Sequence, residues 1–251
     1  MAHKTLINGT AYDISGGREL VNGTGYAKKK GRVLVNGTGY DIPFSSGIPL
    51  STVALGDILM LNENGSPVPF YVCKHDYESG LNGAGRTLLV RKDCCGKDNF
   101  GTSNALSGST IDKFFNEIFK NKLDAEVRAA IGETVFYYIP GDGAAIRTTL
   151  KRAVFPLSVV ELGRRASGIQ EDGSELPIAS ILRTAYLDGT AIAQWTRTPY
   201  KNDMSVYQIT VYGNAAEMHV EYFKGGVRPA FTLPSTLPVI QNPDGTYSPA
   251  A

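Results

Sequence analysis

The chain has 251 residues, which suits one domain of ordinary size with an appendage, or two small domains. Hydrophobic residues make up 42%, and 25 Lys+Arg against 24 Asp+Glu leave a formal charge of +1, a balance that argues against charge-driven disorder and against a nucleic-acid binder. No run approaches the ~20 apolar residues of a membrane-spanning helix, and Met1-Ala2-His3-Lys4 leads into polar sequence, so neither membrane insertion nor a signal peptide is expected.

In chain order, a repeat comes first. Leu6-Ile7-Asn8-Gly9-Thr10-Ala11-Tyr12 recurs from Leu20 and again from Leu34, a period of 14 residues. Asn-Gly between β-formers is the strongest short hairpin signal, because both central residues of a type I′ turn need positive φ and these two tolerate it. Each copy therefore reads as a hairpin. In the first, Ile7 faces Thr10 and Leu6 faces Ala11, which puts Thr5, Ile7, Thr10 and Tyr12 on one face. Roughly forty residues of two-stranded ribbon cannot close a core unaided. Residues 1–43 thus read as an attachment or oligomerisation module, its apolar face covered by the next domain, sister copies or a larger assembly. Asn8, Asn22 and Asn36 also fit the Asn-x-Thr glycosylation pattern, but the turn explains all three. Lys28-Lys29-Lys30 with Arg32 reads as a solvated edge that discourages aggregation.

Pro43-Phe44-Ser45-Ser46-Gly47 breaks the repeat, and a strand-rich α+β pattern follows. Residues 57–61 and 68–74 read as strands around Asn64-Gly65, and 86–92 as another. The glycines from Gly80 to Gly85 precede that strand instead of opening a helix, so they read as a turn and not as a phosphate-cradling loop. Ser109 or Thr110 caps a helix with a stripe of Ile111, Phe114, Phe115, Ile118 and Phe119. Asp124 caps a second short helix with Val127, Ala130 and Ile131 on one face, stopped at Gly132. After a strand at 134–139, residues 155–163 form a short helical turn capped by Ser158 and ended by Gly163, followed by a polar loop over 164–175. Strands are predicted at 194–198, 205–212, 217–223 and 227–233, the middle two joined through Gly213-Asn214. Pro234, Pro238, Pro243 and Pro249 mark a Pro-rich C-terminal tail, 236–251, expected to stay out of any sheet interior.

Several of these segments, 109–116, 123–131, 154–163, Gln194-Trp195-Thr196-Arg197-Thr198-Pro199 and Gly225-Gly226-Val227-Arg228-Pro229-Ala230-Phe231, resemble a C-type-lectin-like domain common in phages and prophages of gut bacteria. The resemblance covers roughly residues 53–235, so the domain is placed at 44–235, and the repeat resembles an extension found before such domains in phage proteins. It implies a fold similar to that of the phage major tropism determinant. Some relatives are variable receptor-binding proteins whose C-terminal sheet residues are rewritten by diversity-generating retroelements.

Alternation sorts the late strands. Over 205–212 it puts Val206, Gln208, Thr210 and Tyr212 on one face, with Tyr207, Ile209 and Val211 toward the core; over 217–223 it sets Glu217, His219, Glu221 and Phe223 against Met218, Val220 and Tyr222. The ligand-binding candidates are therefore Gln208, Tyr212, Glu217, His219 and Glu221, with Tyr200, Lys201 and Asn202 from the preceding loop. Tyr supplies contact area with little rotamer loss, and amides add adaptable hydrogen bonds. Trp195, Arg197 and Arg228 are assigned to structure.

Catalytic and metal chemistry find no support. His3, His75 and His219 stand at no metal-ligand spacing, and Asn202-Asp203 and Asn242-Pro243-Asp244 lack the context of a calcium loop. The cysteines, Cys73, Cys94 and Cys95, make no disulfide framework, and an adjacent pair in a strand points to opposite faces, unlike a copper-binding cysteine pair. No cofactor, metal or catalytic residue is expected. The expectation is a phage virion-associated receptor-binding protein: non-enzymatic, bound to a bacterial surface glycan or protein, joined to other virion proteins through residues 4–43, and homotrimeric. The alternatives are a structural tail or decoration protein and, below it, a cell-wall glycan enzyme.

Overall fold

The computed structural model describes residues 47–166, 168, 170–201 and 204–250, and before them the backbone of six strands. Those six pair as antiparallel hairpins: β1 (Lys4–Ile7) with β2 (Thr10–Asp13), β3 (Glu19–Val21) with β4 (Thr24–Tyr26), and β5 (Lys30–Val35) with β6 (Thr38–Pro43). The registers are equivalent, Ile7 pairing with Thr10, Val21 with Thr24 and Val35 with Thr38, as two-residue Asn-Gly connections require. Asn8, Asn22 and Asn36 and the faces of the hairpins lie outside the described residues.

The domain begins with β7 (Ile48–Pro49), β8 (Ile58–Glu63) and β9 (Ser66–Lys74), then α1 (Ser79–Asn82), β10 (Arg86–Arg91) and β11 (Lys97–Asp98). Helices α2 (Thr110–Lys113) and α3 (Ala125–Ala130) precede β12 (Thr134–Tyr138), β13 (Thr148–Arg152) and β14 (Val154–Phe155). After α4 (Ala179–Leu182) come β15 (Tyr186–Leu187), β16 (Thr190–Ala191), β17 (Gln194–Pro199), β18 (Ser205–Ile209) and β19 (Ala215–His219). The chain closes with β20 (Gly225–Gly226), β21 (Ala230–Pro234), β22 (Pro238–Gln241) and β23 (Tyr247–Pro249).

Two sheets organise these elements. An eight-stranded sheet runs β14-β21-β10-β9-β8-β23-β22-β7, antiparallel except where β23 meets β8, and a five-stranded sheet runs β11-β20-β17-β18-β19. Both are open and linear in order, and the architecture is strand-rich with some helix. One apolar core joins them: Phe70, Phe100, Phe115, Phe155, Phe231 and Val239 are fully buried within it, with Trp195 from β17. The β8–β9 hairpin turns at Asn64 and Gly65, whose φ values of 51° and 78° explain why Asn-Gly stands there.

Helix α2 starts where expected, with Ser109 Oγ accepting from Asp112 N at 3.1 Å. Past Lys113 it widens into a π-helical stretch, Phe114–Phe119, so Ile111, Phe115 and Phe119 are buried while Ile118, predicted on the same stripe, is 53% exposed. Asp124 takes the N-cap position of α3 as expected, but its side chain makes no capping bond; its carboxylate accepts from Asn62 Nδ2 at 2.7 Å instead. The C-terminal prolines also depart from expectation. Residues 238–241 and 247–249 join the eight-stranded sheet, β23 lying between β22 and β8. Pro234, Pro238 and Pro249 sit at strand ends and Pro243 lies between strands, where a missing N–H breaks little of the ladder.

Candidate recognition site

The interior beside the site is sealed by charge. Arg197, in β17, is 0% exposed; its Nη1 donates to Glu161 Oε2 at 2.6 Å, Nη2 to Asp172 O at 2.8 Å and Nε to Tyr137 O at 3.0 Å. The guanidinium also lies 4.8 Å from the Phe136 ring centroid. Glu161 is positioned by a capping box: Ser158 N donates to its Oε2 at 2.9 Å, and its own N–H donates to Ser158 Oγ at 3.1 Å. Tyr77 Oη completes that carboxylate at 2.5 Å. Asp172 accepts from Thr198 Oγ1 at 2.8 Å, but its Oδ1 has no partner among the described residues. Burial pushes the Asp172 carboxyl up to about 6, against the opposing pull of Arg197.

Arg228, 4% exposed, is held differently. Its guanidinium donates to the carbonyls of Arg91, Lys92 and Leu182, at 2.7, 2.6 and 2.6 Å, tying the end of β10 to the end of α4. Trp195 donates its indole N–H to Asp98 O at 2.8 Å and packs edge-on against Phe100 and Phe223. All three residues act as structural hubs.

The outer ribbon is β18 paired with β19. Its register sets Tyr207 opposite Glu217 and Ser205 opposite His219, while Gln208 faces Ala216 and Val206 faces Met218. Glu217 and His219 therefore share a face with Tyr207, and Gln208 lies on the other, opposite Trp195 of β17. Gln208 was expected outward but is 3% exposed, with no partner for its Oε1 among the described residues. The reason is that β18 lies between β17 and β19 and is buried along its whole length, so alternation does not separate solvent from core there.

The remaining candidates divide between the two ends of the ribbon. At one end Tyr200 packs edge-on against Tyr207 with ring centroids 5.2 Å apart, and Lys201 Nζ lies 5.8 Å from the Tyr200 ring centroid. His219 stacks on Tyr222 at 4.3 Å and 24°, beside the exposed Glu217 and Glu221. Asn202 lies outside the described residues. Tyr212 stands at the opposite end, in the turn closed by Gly213 N donating to Thr210 O at 2.9 Å; the strand rise over β19 separates the ends by roughly 13 Å.

Two contributors were missed in the sequence. Strand β19 stops at His219, so alternation does not extend to Tyr222, which is 83% exposed in the following turn. The other is Asn104, fully buried, whose Nδ2 donates to Tyr200 O at 3.0 Å while its Oδ1 accepts from Asp142 N at 2.7 Å, bracing the Tyr200 loop against the 140–147 loop. No periodicity marks a loop-bridging amide.

Residues 84–235 match the family described as Domain of unknown function (DUF6273). The chain belongs to that family. The DUF6273 segment holds every candidate above and leaves outside it the hairpins, β7 to β9 and the last two strands of the large sheet. No curated protein matches the chain, and no solved structure does. Within the DUF6273 segment Cys94 and Cys95 are pushed up by burial, to about 11 and about 12, which keeps them thiols at neutral pH and poor nucleophiles. Among the described residues, no three of His, Cys, Asp and Glu gather as metal ligands would.

Proposed function

We propose that this chain is a phage virion-associated receptor-binding protein, non-enzymatic, whose C-type-lectin-like domain presents the β18–β19 ribbon to a bacterial surface receptor. One observation carries the reading: Tyr212 and Tyr222 are 86% and 83% exposed at the two ends of a ribbon whose inner side is locked to the core. Large aromatic faces held in water on a rigid support suit recognition, because binding then orders few rotamers. Residues 4–43 supply attachment to other virion proteins and homotrimer formation, since paired ribbons of that length need a partner to bury apolar surface.

Replacing Tyr212 and His219 together by Ala is expected to abolish adsorption of the particle to its host while leaving the melting temperature of the protein nearly unchanged. Undiminished adsorption overturns the reading. Light scattering on the full chain tests the trimer, and a monomer at micromolar concentration removes it.

A further inference from the structure

We infer that Arg164 and Arg183, beside Tyr212, form a subsite for a phosphate or phosphodiester group. The inference rests on the reading of Tyr212 as a receptor contact and names the chemistry that contact accompanies. Gly163, with φ +66°, ends the capped turn, and its carbonyl accepts from both Arg164 Nη1 and Arg183 Nη2, each at 3.3 Å. One neutral oxygen thus holds two guanidinium groups side by side. Each is pinned a second time by backbone: Arg164 Nε donates to Gly213 O at 2.9 Å, and Arg183 Nε to Leu162 O at 2.8 Å. Both also border the turn that carries Tyr212, because a Cβ on Gly213 would stand 3.3 Å from Arg183 Cβ.

The charges around this pair do not cancel. Glu175 is the carboxylate beside it, 3.6 Å from Arg183 Nη2 and 64% exposed, and an exposed pair at that distance neutralises little. Arg164 Nη2 and Arg183 Nη1 make no hydrogen bond among the described residues, so each fork keeps a donor to offer. Fixed guanidinium groups of like charge gain most from an anion that touches both, and little side-chain entropy is lost when it binds. A tetrahedral oxyanion presents oxygens in several directions to donors from two separate forks, whereas the two oxygens of a carboxylate lie in one plane.

The test uses the full chain, with the arginine Nε–H signals followed by NMR during titration with inorganic phosphate and, separately, dimethyl phosphate, against chloride at matched ionic strength. Saturable shifts of Arg164 and Arg183 are expected. Saturation by both probes assigns the diester of a surface polymer; saturation by inorganic phosphate alone assigns a terminal or free phosphate. Arg183→Gln is expected to weaken binding about ten-fold. Glu175→Gln removes the competing carboxylate on an exposed side chain and is expected to tighten binding about three-fold. Shifts no larger than those with chloride overturn the subsite, as does unchanged affinity in folded Arg183→Gln. Should Arg183→Gln fail to fold, unchanged or weaker binding by Glu175→Gln overturns it. These readouts need no host cell, so the subsite and the receptor-binding reading fail separately.

Discussion

Arg197, in β17, and the β18–β19 ribbon are neighbours in one sheet, yet their surroundings use polar residues in opposite ways. Around Arg197 two carboxylates, a phenol and two hydroxyl side chains are withdrawn from water and bonded to one another or to backbone. On the ribbon, Tyr212, Glu217, Glu221 and Tyr222 stay in solvent. The difference separates what holds the domain together from what it has to offer a partner. Polar chemistry that is sealed specifies the fold, and polar-aromatic chemistry held open on the sealed support is available for recognition.

That contrast breaks most decisively at the ion pair. Arg197→Met leaves Glu161 buried without its cation and is expected to cost about 3–5 kcal/mol in chemical denaturation. Replacing Glu161 by Leu in the same chain should recover part of the loss; a loss from Arg197→Met alone under about 1 kcal/mol shows that the pair does not organise the interior. Asp172 gives the next effect, through pH. Its folded carboxyl titrates near about 6 instead of the ordinary 3.8, so the stability it contributes is fully present below pH 3.8 and lost as pH rises through about 6. Relative to Asp172→Asn, the wild type is expected to lose roughly 2–3 kcal/mol across that window. Parallel stability curves for the two proteins count against a buried ionising carboxylate. Gly225→Ala sharpens the packing side of the comparison, since the added Cβ would stand 2.8 Å from Trp195 ring atoms; about 1–3 kcal/mol is expected in the unfolding midpoint. The ribbon gives the smallest stability effect. Tyr212→Ala with His219→Ala should change stability by no more than about 0.5 kcal/mol while removing adsorption, and a large fall in melting temperature assigns those side chains to the fold instead.

Local chemistry was legible from the residues, and tertiary covering was not. The 14-residue spacing of Asn-Gly gave the register of all three hairpins, because a two-residue turn leaves one way to pair. Ser158 as the cap of its turn, and the structural roles of Trp195, Arg197 and Arg228, were likewise readable from residue type and spacing, whereas the reciprocal part of Glu161 was not read. Gln208 was misplaced because a strand with neighbours on both sides is buried wherever its side chains point. Tyr222 escaped because a strand end resets the period, and the tail was misjudged because proline is excluded from ladder positions but tolerated at their ends. The Arg164 and Arg183 pair lies 19 positions apart in sequence and meets at the carbonyl of Gly163 and beside the Gly213 turn, a relation no motif records.

The short strand β7 has a mechanical consequence. It pairs with β22 through only Ile48 with Val239 and Pro49 with Pro238, and it is the outermost strand of the large sheet. Tension delivered along the chain from the hairpins enters the domain there, and it peels two residue pairs before it loads Leu50 and Ser51, whose N–H groups hold Leu237 O and Ser235 O at 2.8 and 2.9 Å. Pulled from its N-terminal side, the domain would release a few residues there, like a fuse, while the aromatic ribbon in the other sheet keeps its shape.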